Sequence, residues 1–326
     1  MAQARNALPG AHFVIAREQV PDNGEDSYCC TYGKKASLLA VFDGCGGSGA
    51  RRHARFSGKT EAYMASRLCA GVFHDSFGAV FSQNAEGSDP EGLFVQEIAR
   101  RWDALMARFD PSRADAGSGL RSSMIRPMPT TAAALVIRPA EEDRFAASAI
   151  WAGDSRAYAL SDHGLMQLSQ DDATEKDPMK NLYGDSIMTR TVDGAKGARL
   201  HLGTVTLTAP FLAITATDGC FAYLSTPMEF EGLLLESLMA SESTAQWEQR
   251  LDEGIGEVAG DDYTLCLAAY GFDSFRAMQA HFRPRLRHLQ AEYLKPLAAL
   301  APGDLASREA LWQQYRTDYL NYVKEV

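Results

Sequence analysis

Long apolar runs are missing from this 326-residue chain: no stretch reaches the roughly 18 to 20 residues needed to cross a bilayer. No membrane association is expected. The opening MAQARNALPGAHFVIAREQ has neither a sustained apolar core nor a small-residue cleavage site, so no secretory signal is expected. Ordered cysteine spacing is missing too. The six cysteines, Cys29, Cys30, Cys45, Cys69, Cys220 and Cys266, form no C-x-x-C pair. That argues against a zinc site or a disulfide framework, and for a reduced, cytoplasmic protein whose thiols are mostly small buried hydrophobes. Positive charge is in deficit. Lys plus Arg number 32 against 42 Asp plus Glu, a net charge of −10, which repels a phosphate backbone and makes nucleic acid an unexpected partner. There is no internal repeat. What is present, 46% hydrophobic and 23% charged residues, excludes wholesale disorder, and the length fits one large domain or two ordinary ones.

Short runs rich in small and β-branched residues, bounded by Gly, Pro or Asp, predict strands at 12–16, 37–42, 131–137, 145–153, 156–160, 211–217 and 263–270. Helical spacing of Phe94, Ile98, Trp102, Leu105 and Phe109 predicts a helix over 91–109. Further helices are expected from just after Gly49 to about Cys69, at 227–240 and at 244–258. Strands come in clusters and helices in pairs, which favours a layered α+β sandwich over strict β-α-β alternation. Polar, Gly- and Pro-containing stretches at 74–92, 110–129 and 171–197 read as loops, and the last is long enough to suggest a lid or binding loop.

After about Phe272 the chain changes character. Phe275, Met278, Phe282, Leu286, Leu289, Tyr293 and Leu297 keep helical spacing, with Pro284 expected to kink or split the helix. Pro302 and Gly303 break the pattern, and Asp304 or Ser307 could cap a last helix rich in Trp and Tyr. The division expected is a domain over 1–271 and a helical extension over 272–326. The extension either packs on the body or offers a surface for a partner or a second copy.

Acidic residues stand at the tips of four expected strands or extended runs. Asp43 ends LLAVFD and meets GCGGSG; Asp218 ends FLAITATD; Asp261 and Asp262 precede YTLCLAAY; Glu25 and Asp26 precede SYCCTY. A rigid strand that delivers a carboxylate to its tip suits an oxygen-ligand site for Mg²⁺ or Mn²⁺. Such carboxylates repel one another, and a divalent cation relieves the repulsion. Each element alone has a simpler reading as a turn or a solvated loop.

Together, GEDSY (24–28), VFDGCGGSGA (41–50), PTTAAALVI (129–137), WAGDSRAYAL (151–160), LSQDDAT (168–174), MTRTVDG (188–194), FLAITATDGCFAYL (211–224) and GDDYTL (260–265) are ordered blocks spanning about Gly24 to Tyr270. In order and rough spacing they resemble the type 2C (PPM) family of metal-dependent Ser/Thr protein phosphatases. The resemblance implies an α-β-β-α sandwich of two antiparallel sheets flanked by helices, to which the C-terminal helical extension is added. It implies two Mg²⁺ or Mn²⁺ ions, with Asp43 bridging both and acting with Asp218 in catalysis, the Gly44 carbonyl on one ion, Asp218 and Asp261 on one, Glu25 on the other, and Asp26 orienting a water. Asp262 is a second candidate beside Asp261. In the family's pattern Asp154 and Arg156 of the GDSR block look structural. The implied reaction is hydrolysis of phosphomonoesters on a phosphorylated protein by a metal-activated water, without a phosphoenzyme.

The sequence departs from the family in several places. Cys45 stands where His or a small residue is usual; it is either a small side chain that fits the turn, or a thiol near the metals able to act as acid or be oxidised. Pro21 replaces a phosphate-gripping Arg, leaving Arg17, Arg51 or Arg52 as substitutes, the last two read as surface residues at a helix start. No acidic residue lies between Asp115 and Glu141, where Arg126 stands near the position of a third-metal Asp. Asp262 occupies the place of an Asn. The alternative function is a catalytically weak phosphatase-like module that senses a ligand or scaffolds a partner. The missing Arg and the aromatic tail favour it, whereas the retained carboxylates favour the enzyme. A hydrolase for a small phosphorylated metabolite is a third reading.

Overall fold

The computed structural model describes residues 8–81, 89–109, 127–182, 186–301 and 303–322. In chain order, strands β1 (Ala11–Arg17), β2 (Asp26–Tyr32) and β3 (Ser37–Asp43) are followed by a small hairpin, β4 (Arg52–His53) and β5 (Lys59–Thr60). Helices α1 (Glu61–Phe81) and α2 (Pro90–Met106) come next, then β6 (Ala132–Pro139), β7 (Arg144–Ala152), β8 (Arg156–Ser161), β9 (Gly164–Gln167), β10 (His201–Thr208) and β11 (Phe211–Ala216). Helices α3 (Pro227–Met239) and α4 (Thr244–Gly256) lead to β12 (Tyr263–Tyr270) and to the tail, α5 (Phe275–Leu289), α6 (Lys295–Ala298) and α7 (Leu305–Tyr319).

Two five-stranded sheets result, ordered β1-β12-β11-β8-β9 and β10-β7-β6-β3-β2, with every strand pair antiparallel. They stack face to face, with helices outside. The period of two along each strand sorts the side chains. On β3, Leu38, Ala40 and Phe42 meet Ala65, Phe73 and Trp102 of α1 and α2, whereas Leu39 and Val41 enter the layer between the sheets. On β12, Leu265, Leu267 and Ala269 face α3, α4 and the tail, while Cys266 and Ala268 face inward. Both faces of these strands are buried, so they read as unbroken apolar runs rather than as alternation. Alanines dominate the inter-sheet layer, as at Ala133, Ala147, Ala149, Ala157, Ala159 and Ala213, which lets the sheets approach closely.

All seven expected strands are present. Three expectations need correction. The helix expected directly after Gly49 starts only at Glu61, because residues 52–60 form the β4–β5 hairpin, and it runs on to Phe81. The stretch 74–92 is therefore helical at both ends; of it, 82–88 lie outside the described residues, as do 110–126 of the second expected loop, including Asp115 and Arg126, and Pro302 of the tail. Pro284 does not split α5. It sits on the exposed face, where the carbonyl deprived of a partner can meet water, and the irregularity is instead a π-turn at Gln290–Leu294. Asp304, not Ser307, caps α7: its Oδ1 accepts from the Ser307 amide at 3.1 Å.

The tail is packed into the outer core of the first sheet. Met278, Phe282, Leu286, Leu289, Trp312, Tyr315 and Tyr319 are buried with Tyr158, Leu160, Phe230 and Leu235. A buried pair fixes it. The Arg285 guanidinium donates to both oxygens of Glu231 on α3 at 2.6 and 2.9 Å, and the Tyr315 hydroxyl adds a third bond at 2.6 Å. Among the described residues, no helix is long and apolar enough to cross a membrane, and the six cysteines form no disulfide.

Candidate active site

Antiparallel pairing brings the acidic tips to one end of the sandwich. Asp26 at the start of β2 lies opposite Asp43 at the end of β3. The Thr130–Thr131 block holds Asp43 from the neighbouring strand: the Thr130 Oγ1 donates to the Asp43 carbonyl at 2.8 Å, as does the Thr131 amide, and the Asp43 amide donates to Thr131 Oγ1 at 3.1 Å. From the other sheet, Asp218 opens a 3₁₀ turn directly after β11, and Thr217 beside it donates its hydroxyl to Asp26 Oδ2 at 2.8 Å. Gly219 is obligatory there, since a Cβ would collide with the Asp262 carbonyl. Asp154 joins this group from the turn between β7 and β8.

The electrostatics show that these carboxylates face one another. Burial, then the charges of Asp218, Asp26, Asp154 and Asp261, push Asp43 well above the ordinary carboxylate range. Burial and the Asp218 charge raise Asp26 to about 8 against the Thr217 hydrogen bond, and burial with Asp218 and Asp171 raises Asp154 to about 8. Asp218 rises to about 6, through burial and Asp261. Four acids whose ionisation is opposed in one place have too much negative charge and too little compensation.

The members of the remaining pairs differ in role. Asp262 is committed to backbone: its Oδ1 accepts from the Gln19 amide and its Oδ2 from the Glu25 amide, both at 2.7 Å. It ties the 18–25 loop to the start of β12. Asp261 is the one whose charge reaches Asp43 and Asp218. Glu25 is raised mainly by burial, with its carboxylate held by the Thr60 hydroxyl and passing so close to Gly46 that a Cβ there would clash. Gly44 donates its amide to the Glu25 carbonyl at 3.1 Å. Cys45 is half-buried in the turn that follows, its amide on the Pro129 carbonyl at 3.0 Å.

Of the basic candidates, Arg17 is paired with Asp252 on α4. Arg51 lies 3.6 Å from buried Glu61. Both Arg51 and Arg52 precede α1 by the length of the hairpin, so neither stands at a helix start. Arg52 is exposed, and its charge reaches Glu25, opposing a small part of the rise that burial causes.

Asp154 is the residue that the resemblance set down as structural. Its Oδ1 is buried and has no hydrogen-bond partner, while its neighbour Arg156 is fully engaged with Asp171 at 2.7 and 3.0 Å. The GDSR block thus splits: Arg156 is structural, and Asp154 belongs to the acid cluster. Beside Asp154 and Asp218 opens a cavity of about 380 Å³, lined by Phe221, Tyr223, Asn181, Leu182 and Ser186.

Among the described residues, no three His, Cys, Asp or Glu side chains are gathered into a ready-made metal cluster. The donor chemistry nevertheless fits hard cations. It is all oxygen, it carries opposed charge, and one buried oxygen is left unsatisfied.

No protein-family model and no curated protein sequence matches the chain. Solved structures do. The phosphatase PstP/Ppp of Mycobacterium tuberculosis superposes with a TM-score of 0.55 at 20% identity, covering 79% of this chain and 97% of its own. The Ser/Thr phosphatase Stp1 of Staphylococcus aureus gives 0.58 at 16%, covering 83% and 98%.

The chain has the fold of the PPM-type Ser/Thr phosphatases.

A second PstP structure, the catalytic domain in complex with two manganese ions, matches at a TM-score of 0.53 and 17% identity over 80% of this chain and 98% of that one. In this PPM fold, as in the sequence blocks, the acidic tips share the end of the sandwich that carries Thr130, Thr131 and Gly219.

Proposed function

We propose that the protein is a metal-dependent phosphatase acting on phosphoserine or phosphothreonine in proteins. Asp43, Asp218, Asp261, Glu25 and the Gly44 carbonyl would hold two Mg²⁺ or Mn²⁺ ions, with Asp154 as a further oxygen donor and Asp26 orienting water. The observation that carries this reading is the set of opposed, half-buried carboxylates at one end of the sandwich, one with an orphaned oxygen. Bound there, the cations would acidify a water and neutralise phosphoryl oxygens. The protein's own groups do the rest. Thr130 and Thr131 lock the Asp43 backbone, so that its carboxylate need not reorganise when charge redistributes. Asp262 holds the Glu25 loop by two amide bonds. Arg52 is the basic side chain near Glu25 that can offer charge to the phosphoryl group in place of the residue replaced by Pro21. The adjacent cavity receives the substrate beyond its phosphoester.

The test is phosphate release from a phosphothreonine peptide with Mn²⁺. Turnover that chelator abolishes supports the reading; none with Mn²⁺, or release that survives chelation, contradicts it. The second reading, a weakly catalytic binding module, is favoured by the pairing of Arg17 to Asp252, which removes one substitute phosphate ligand. It requires Mn²⁺ binding without turnover.

A further inference from the structure

The C-terminal helix α7 lies outside the blocks that resemble the family, yet it is bonded to the segment that walls the cavity beside Asp218. Trp312 is buried, and its Nε1 donates to both oxygens of Asp177, at 3.0 and 3.2 Å. Arg316, one turn on, donates to the same carboxylate at 3.3 Å. Asp177 in turn caps the 3₁₀ segment that follows it, accepting from the Met179 amide at 3.0 Å, and that segment carries Asn181 and Leu182 into the cavity wall. At its far end, Leu320 bridges to Gln167 on β9. The Gln167 side chain donates to Asp171 Oδ1 at 3.0 Å, and Asn181 donates to Asp171 Oδ2 at 2.9 Å. Two separate connections therefore run from α7 to the same wall.

We propose that α7 is a positioning element for the active site: by tethering residues 171–182 through Trp312–Asp177 and Leu320–Gln167, it shapes the cavity that holds the part of a phosphoprotein substrate beyond the phosphoryl group. The proposal rests on the phosphatase reading for its substrate, but not for the tether itself. At its start the wall is anchored by backbone: the Asp172 amide donates to the Gly153 carbonyl at 2.9 Å, and Ala173 bridges to Met188. From Glu175 to Leu182 it has no regular structure beyond one short 3₁₀ turn, so its position there leans on side-chain bonds. The buried indole N–H of Trp312 on the charged Asp177 acceptor is the strongest that α7 supplies there. Asp177 and Trp312 touch none of the proposed metal-holding residues by a hydrogen bond, so loosening them moves the wall and leaves the acid cluster in place.

The experiment uses the full chain with Trp312→Phe, which keeps an aromatic ring in the core and removes only the donor, and Asp177→Asn as a second variant that keeps side-chain volume. Amide hydrogen exchange of the metal-free proteins is followed in 171–182, with β11 as internal reference. Exchange in the wall is expected to quicken about tenfold, equivalent to about 1.4 kcal/mol, while β11 stays unchanged. With Mn²⁺, KM for a phosphothreonine peptide should rise about tenfold at nearly constant kcat, and KM for p-nitrophenyl phosphate, which has no flanking chain, should not move. Unchanged exchange in 171–182, or equal acceleration of β11, overturns the tether whatever the activity. Faster exchange with no split between the two substrates overturns the role in substrate binding. A wild type that hydrolyses neither substrate fails the phosphatase reading and the substrate half of this proposal with it, while exchange still judges the tether.

Discussion

Replacing Asp218 by Asn should stabilise the metal-free protein, an unusual outcome for an acid that the fold delivers so exactingly to a strand end. Asp218 is raised from the ordinary 3.8 to about 6, by burial and by the Asp261 charge. A carboxyl raised in the folded state binds its proton more tightly there than in the unfolded chain, so its ionisation weakens the fold as pH climbs from about 4 to about 6. Above that window the full penalty applies. Roughly two pKa units correspond to about 3 kcal/mol, an upper bound because Asn also buries a polar group. A gain of about 1–3 kcal/mol is expected at pH 8 in chelator, shrinking by about half near pH 5. For a domain of this size that is a rise in melting temperature of several degrees. The order should reverse with Mn²⁺, because the wild type gains binding free energy that the variant forgoes. Thermal melts at pH 8 and pH 5, with chelator and with Mn²⁺, measure all of this. A variant less stable than wild type at pH 8 in chelator, or a gain that ignores pH, refutes the argument that these carboxylates are held against their own repulsion.

Other consequences are equally direct. Arg285→Ala leaves Glu231 buried without its charged partner and should cost about 3–5 kcal/mol in chemical denaturation, while Mn²⁺ affinity of the folded protein stays within error. Arg52→Ala should raise KM for p-nitrophenyl phosphate several-fold with little change in melting temperature, since Arg52 is exposed; an unchanged KM removes it as the phosphate ligand. Cys45→Ser should keep activity and lose sensitivity to peroxide if the half-buried thiol lies near enough to the bound metals to ionise. Equal inactivation of wild type and variant assigns Cys45 to the turn alone.

Much of the fold was legible in the sequence because its central strands are buried on both faces. Runs such as SLLAVF and YTLCLAAY leave little choice but core strand, and their acidic tips follow from where the strands stop. Strands β9 and β10 were not legible. Both are edge strands, β9 is only four residues long, and in β10 half-buried His201 and exposed Thr204 and Thr206 interrupt the apolar pattern. The polar β4–β5 hairpin hid the true start of α1. In the site, Asp43 and Asp218 announced themselves by position, but Asp154 did not. It sits in a turn between strands, and only the pairing of β8 with β11 carries it to Asp218. In sequence Asp261 was the preferred ligand, with Asp262 a second candidate beside it. They separate once the Gln19 and Glu25 amides are seen to occupy both Asp262 oxygens. The contact of Trp312 with Asp177 spans 135 positions, and no local pattern encodes it.

The central claim is that the acid cluster around Asp43 is a catalytic metal site. The most direct measurement is turnover of p-nitrophenyl phosphate by wild type and Asp43→Asn at saturating Mn²⁺, with a thermal melt of each to establish that both are folded. The account predicts Mn²⁺-dependent turnover in the wild type and a loss of at least about a hundredfold in a variant that melts no lower than wild type in chelator. A folded Asp43→Asn protein with near wild-type turnover would contradict it.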